Sequence, residues 1–349
     1  MVIRPVKKSR IEYVDFDNLS FGTNFSDHMF ICNYADGAWG EPEIIPYAPI
    51  QLDPSASALH YGQAIFEGMK AYKDDNGEVW LFRPDQNIKR LNKSADRLAI
   101  PQFPEDLFLD GLRKLIDLDR NWVQSGAGNS LYIRPFVFAS EPCVQASPAK
   151  EYRIMIICTP VSSYYNSCEV RVKIADHFSR APQGGTGYAK AAGNYAGQFY
   201  PTQLAIDEGY QQVIWTDAAT HQYIEEAGTM NLFFYIGDKL ITAPISDSIL
   251  DGVTRKSVID LAKNRGIEVE TRQLTVNELI EAANNKSLRE IFGSGTAVVV
   301  LPIHGFGYKG KDYNVEQSAA DSLALELKAD LTSIQYNRTD DSYGWCVKV

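Results

Sequence analysis

The spacing of apolar residues changes from one stretch of the chain to the next. In KAYKDDNGEVWLFR (70–83) two short apolar alternations flank Asn76-Gly77, a pair suited to a tight turn, so a β-hairpin is predicted. Behind Asp85 the period lengthens. Ile88, Leu91, Ala95, Leu98 and Ala99 fall on one helical face, and Leu107, Leu112, Leu115, Ile116 and Trp122 make a second stripe. SLYIRPFVFA (130–139) and YRIMIIC (152–158) return to strand composition, and the turn-rich TPVSSYYNSCE after them reads as a linker.

In the second half VRVKIAD, QQVIWTD and NLFFYIGDKLIT supply strands, the last as a hairpin around Gly237-Asp238. GVTRKSVIDLAKNRG (252–266) reads as a helix with basic residues late and Gly266 as its stop. TVNE (275–278) has the form of a capping box opening another helix, and AADSLALELKADLTSI supplies a last one. Pro201 should interrupt or kink any helix running towards Glu208. Strands and helices mix without a regular βαβ beat, which indicates an α+β fold. The expected division is a smaller N-terminal domain over 1–159, a linker over 160–169 and a larger C-terminal domain over 170–349.

Composition narrows the function classes. At 349 residues, 45% hydrophobic and 22% charged, the chain has the make-up of an ordinary globular protein with room for two domains. A net charge of −10 speaks against nucleic acid or an anionic membrane as partner. Cys32, Cys143, Cys158, Cys168 and Cys346 are scattered and contain no CxxC pair, so neither a disulfide framework nor a metal site is expected. The basic start MVIRPVKKSRIEY is followed by no apolar secretion segment, and a cytoplasmic location is expected.

Several residues are candidates for chemistry, each with a plainer alternative. Lys190, in GTGYAKAAGNYAGQ, is the sole formal charge between Arg180 and Asp207. It is either an exposed lysine on a Gly-rich loop or an amine in a small-residue bed with no carboxylate close by in sequence, where desolvation favours the neutral nucleophile. Glu225-Glu226 at the mouth of a strand is a solvated turn or a carboxylate placed against a protonated ring nitrogen. GVTR (252–255) opens a helix whose N–H groups can meet a phosphate, although Asp251 before it works against an anion. GSGTAVVVLP (293–302) lacks the following helix of a dinucleotide fingerprint and reads as a turn feeding a buried strand. By pattern Arg90 lies well off the apolar centre of its helix and reads as solvated.

In order along the chain, LHYGQAIFEGMKAY, LFRPDQNIKRL, LYIRPFVFAS, YAKAAGNYAGQ, EEAGTMNLFF, LDGVTRKSV and GSGTAVVV resemble the signatures of the branched-chain amino acid aminotransferases, fold-type IV pyridoxal-phosphate enzymes. The resemblance implies a smaller N-terminal α/β domain, a larger C-terminal domain with a pseudo-barrel of strands, and a site at the domain interface. It implies ping-pong transfer of the amino group between L-leucine, L-isoleucine or L-valine and 2-oxoglutarate. Lys190 matches the lysine that binds pyridoxal 5'-phosphate and moves the proton, Glu226 the acid at the pyridine nitrogen, and Tyr195 the tyrosine at the phenolic oxygen. For the phosphate it implies Arg90, the N–H groups of Val253 and Thr254, and Thr296, with Thr229 between cofactor and substrate. For the substrate it implies Tyr61, Phe66, Tyr132, Arg134, Val144, Thr296 and Ala297, and it implies a homodimer in which Tyr61 and the loop around Val144 reach the partner's site. Val298 and Leu301 stand where animal members carry a CxxC pair. The rival readings are another fold-type IV enzyme, a D-amino acid aminotransferase or aminodeoxychorismate lyase, then a nicotinamide-dependent dehydrogenase and a non-catalytic binding protein.

Overall fold

A computed structural model describes residues 1–162, 169–315 and 321–349. The chain groups into two compact units, Met1–Tyr164 with Ala189–Gly193 and Ser333–Val349, and Tyr165–Tyr188 with Asn194–Thr332. This differs from the expected contiguous domains, because two segments beyond 170 belong to the first unit. The linker expected at 160–169 falls mostly outside the described residues. The strand Tyr152–Val161 already takes in Thr159 and Pro160 of the stretch read as turn-rich.

Among the described residues the first unit is built on one ten-stranded sheet. Its order is Val2–Ile3, Glu43–Pro46, His28–Ala35, Tyr152–Val161, Ser130–Ala139, Met69–Lys73, Val79–Phe82 and Cys346–Lys348, with Ala38–Trp39 and Ala64–Phe66 paired alongside. The hairpin around Asn76-Gly77 forms as expected, with Gly77 at φ +82°. The helices Pro84–Arg97 and Glu105–Leu118 bury Ile88, Leu91, Ala95, Leu112, Leu115 and Ile116 in the same apolar cluster as Phe30, Leu131 and Ile154 of the sheet. Both stripes overrun their helices at the C-terminal end. Ala99 turns to φ +53°, and Trp122 lies in a separate 3-10 turn, buried and donating its ring N–H to Asp27 Oδ2 at 2.9 Å.

Among the described residues the second unit has two sheets. One orders Leu274–Thr275, Tyr223–Ala227, Gln212–Thr216, Arg171–Ile174, Gly305–Tyr308 and Lys311–Asn314; the other orders Glu268–Thr271, Lys239–Thr242, Asn231–Ile236, Leu288–Gly295 and Val299–Ile303. The helix Val253–Asn264 stops before Gly266 at φ +76°, as the sequence predicts. Thr275 Oγ1 accepts the Glu278 N–H at 3.0 Å, which is half of the capping box; the Glu278 carboxylate turns instead to Arg272. Pro201 interrupts nothing. It occupies the first turn of the helix Phe199–Asp207, where a missing N–H leaves no helical bond unmade. GSG at 293–295 ends a strand rather than forming a turn; the turn is Thr296–Val298, followed by Val299 at φ +62°. The fold is α+β. No described helix is long and apolar enough to cross a membrane.

Candidate active site

Lys190 belongs to the short segment Ala189–Gly193 of the first unit. Its neighbour Ala191 bridges Ile65, and the Phe66 N–H donates to the Lys190 carbonyl at 3.0 Å. On the other side the Lys190 N–H donates to Ser94 Oγ at 2.9 Å, and that hydroxyl donates to the Arg90 carbonyl at 3.0 Å within the helix Pro84–Arg97. The lysine backbone is therefore held at both its polar groups, which a flexible Gly-rich loop would not provide. Its ammonium stands 4.9 Å from the Phe66 ring centre, and the Arg134 guanidinium lies 4.6 Å from the same centre. Arg134 Nη2 donates to the buried Tyr132 hydroxyl at 3.0 Å. Gly68 makes room for this tyrosine: a Cβ there would come 2.3 Å from the hydroxyl oxygen. Tyr61 and Val144 are both exposed, and the Tyr61 hydroxyl donates to the Val144 carbonyl.

Arg90 is buried, against the reading from helical pattern. Its Nε donates to Glu67 Oε1 at 2.7 Å and its Nη2 to Glu67 Oε2 at 2.8 Å, so a carboxylate from another element compensates the cation. Glu67 is 0% exposed and also accepts from Asn87 Nδ2 at 2.8 Å and the Gly68 N–H at 3.1 Å. Burial pushes its carboxyl up, but Arg90, Lys190 and Asn87 outweigh this and hold it below the ordinary range.

In the second unit Glu226 lies in the strand Tyr223–Ala227 and is buried, which removes the solvated-turn reading. Its Oε2 accepts from Asn231 Nδ2 at 2.9 Å and the Leu250 N–H at 3.2 Å, and its Oε1 faces Arg180 Nη1 at 2.8 Å. Glu225 beside it accepts from the Ser248 hydroxyl with Oε1, while Oε2 is buried without a hydrogen-bond partner among the described residues. Burial pushes the Glu225 carboxyl up, with the Ser248 bond opposing the shift. Val253 and Thr254 are buried at the start of the helix Val253–Asn264, where Gly252 brings no side-chain cap to the first N–H groups. Asp251 is engaged sideways by Lys256 at 2.7 Å, which offsets the acid before that helix. Thr296 and Ala297 are half-buried in the turn after Gly295; Thr229 is exposed in the turn after Ala227, and Tyr195 is half-buried in the short helix Ala192–Ala196.

The chain pattern missed Glu67, Ser94, Arg180 and Asn231. Two carried a signal: Glu67 is an acid inside an apolar stretch, and Arg180 is the last charge before Lys190. Ser94 and Asn231 carried none, since a helix interior serine and a strand-start asparagine have many ordinary explanations.

The profile of the family described as Amino-transferase class IV matches residues 64–306. The chain is 44% identical over 342 residues to "Branched-chain-amino-acid transaminase 1" of Bacillus subtilis (strain 168), spanning 97% of this chain and 96% of that one. It belongs to the branched-chain-amino-acid transaminases of class IV. A further relative of this transaminase, a branched-chain-amino-acid aminotransferase of Mycolicibacterium smegmatis, is 41% identical over 95% of the chain and 92% of its own. Among solved structures, the branched-chain amino acid aminotransferase of Escherichia coli superposes with a TM-score of 0.73 at 25% identity, covering 92% of this transaminase and 98% of that chain. The T.th. branched-chain amino acid aminotransferase solved with pyridoxamine 5'-phosphate superposes with a TM-score of 0.72 at 25% identity, covering 90% and 97%. The fold-type IV architecture expected for this transaminase is thereby established.

Proposed function

We propose that this transaminase moves the amino group between L-leucine, L-isoleucine or L-valine and 2-oxoglutarate by a ping-pong route, with pyridoxal 5'-phosphate attached to Lys190. The observation that carries the reading is the 44% identity to a branched-chain-amino-acid transaminase over 97% of the chain. The residues present fit the cofactor. A buried carboxylate held by three donors, a helix start without a side-chain cap and a backbone-clamped lysine are the groups that a protonated pyridine, a phosphate and an aldehyde require. When bound, pyridoxal phosphate supplies an electron sink conjugated to the substrate Cα.

Around that sink the chain's residues have separate tasks. Glu226 holds the proton at the ring nitrogen, and its three contacts fix where that proton is met. Tyr195 donates its hydroxyl hydrogen to the phenolic oxygen. The N–H groups of Val253 and Thr254, Thr296 and the Arg90 charge hold the phosphate, and Thr229 lies between cofactor and substrate. Lys190 would hold the cofactor's aldehyde, and its amine, when free, would take the Cα proton. Phe66, Tyr132, Tyr61 and Val144 exclude water around a branched aliphatic side chain. Arg134, stacked on Phe66 and hydrogen-bonded to Tyr132, meets the distal carboxylate when glutamate is bound, and the Thr296-Ala297 turn receives the α-carboxylate. The exposure of Tyr61 and Val144 supports a homodimer in which each of these residues is covered by a second copy.

The test is a visible spectrum of the purified protein titrated with L-leucine and then 2-oxoglutarate, with D-alanine and aminodeoxychorismate as competing substrates. Cofactor absorbance that L-leucine bleaches and 2-oxoglutarate restores is expected, and Lys190→Ala should lose both absorbance and turnover. Glu226→Ala should keep cofactor and lose most of the rate. Absorbance and turnover surviving in Lys190→Ala refute the assignment.

A further inference from the structure

Arg90 has a long side chain with several free torsions, and a charge at its tip is useful to an anion only if its plane is fixed. The structure supplies the fixing on one edge. Glu67 takes Nε and Nη2 side-on at 2.7 and 2.8 Å, and the carboxylate cannot swing because Asn87 and the Gly68 N–H also hold it. A buried pair of this kind adds little stability over apolar packing of the same volume, so orientation is its larger effect.

The same pair is joined to the lysine segment. Glu67 follows Phe66, whose N–H meets the Lys190 carbonyl, and Arg90 lies one turn before Ser94, whose hydroxyl meets the Lys190 N–H. The bonds thus close a circuit from Lys190 through Phe66, Glu67, Arg90 and Ser94 back to Lys190, entirely within the first unit. The carboxylate contacts the guanidinium directly, at Nε and Nη2, and bears on the lysine only through the main chain.

We infer that Glu67 is a positioning residue: it sets the plane of the Arg90 guanidinium so that the charge meets the cofactor's phosphate while Lys190 is held on the same frame. The inference rests on the proposed roles of Arg90 and Lys190. It concerns how the chain captures a phosphorylated aldehyde in preference to an unphosphorylated one.

The experiment compares binding of pyridoxal phosphate and of pyridoxal to the full chain stripped of cofactor, by absorbance titration, in the wild type, Glu67→Gln, Arg90→Lys and the double variant. Glu67→Gln should weaken pyridoxal phosphate about tenfold or more while pyridoxal changes less than about threefold. In the Arg90→Lys background it should add almost nothing, because its route of action is already broken. Equal losses for the two ligands, an unchanged preference, or full additivity with Arg90→Lys would each overturn the inference. Should Glu67→Gln fail to fold, Asn87→Ala removes one donor from the same carboxylate and should shift the preference in the same direction by less; no shift overturns it. A wild-type chain that takes up neither ligand, or a Lys190→Ala chain that keeps the cofactor's absorbance, refutes the functional reading instead.

Discussion

Arg180 Nη1 lies 2.8 Å from Glu226 Oε1, with the two side chains 2% and 5% exposed. The same guanidinium donates to the Ser248 carbonyl at 2.6 Å and the Gly187 carbonyl at 3.0 Å. One cation therefore ties the proposed ring-nitrogen acid to the loop that leads, three residues later, to Lys190. Arg180→Gln leaves a buried carboxylate without its ion partner and should destabilise the protein by about 3–5 kcal/mol. Chemical denaturation checks this, and combining Arg180→Gln with Glu226→Gln should recover part of the loss, because the orphaned charge is gone.

Gly252 is demanded by Asn231 rather than by backbone angle. A Cβ at 252 would come 2.0 Å from Asn231 Oδ1, and Asn231 is already committed to Glu226 Oε2 and the Leu250 carbonyl, each at 2.9 Å. Gly252→Ala should cost about 1–3 kcal/mol by overpacking. It should also blue-shift or broaden the cofactor absorbance, since Glu226, the proposed acid at the ring nitrogen, loses a fixed donor. Thermal melts and the visible spectrum read the two effects separately.

The raised carboxyl of Glu225 sets a pH dependence. Its folded state binds the proton more tightly than the unfolded chain does. The contribution to stability is therefore complete below the usual glutamate value of 4.5 and is lost as pH climbs through the higher folded value. Glu225→Gln removes this loss. The variant should gain stability relative to the wild type as pH rises from the acid side towards neutrality, in denaturant midpoints measured across that range, and a gap that shrinks with rising pH would contradict the sign.

Thr275 caps the helix Val276–Asn284 through the Glu278 N–H. Thr275→Ala should cost about 1 kcal/mol without touching turnover, as this helix carries none of the proposed site residues. A fall in kcat at unchanged stability would show that the helix matters to the site.

What the sequence made legible were features with local causes. Asn76-Gly77, Gly266 and Thr275 announce turns, stops and caps because the backbone requirement sits within a few residues of the signal. Arg90 reads as solvated by pattern because its compensation by Glu67 comes from the connection between the strands Ala64–Phe66 and Met69–Lys73, and helical periodicity knows nothing of that partner. Pro201 reads as a breaker only if the helix is assumed to run through it, whereas the helix begins two residues earlier, at Phe199, and the proline falls in its first turn. The proposed site residues were reached through ordered motifs, whereas Ser94 and Asn231, which bond to Lys190 and Glu226, emerge only from distances.

The grouping of Ala189–Gly193 with the first unit, while Tyr188 and Asn194 belong to the second, has a consequence for any attempt to divide the protein. A fragment expressed from residue 170 onward would carry Lys190 but neither Phe66 nor Ser94, the two residues that grip its main chain. The complementary fragment would carry that grip with nothing in it. Swapping modules with a homologue at the midpoint of the chain therefore exchanges Lys190 and its holders separately, whereas a chimera joined after residue 193 lets the two travel together.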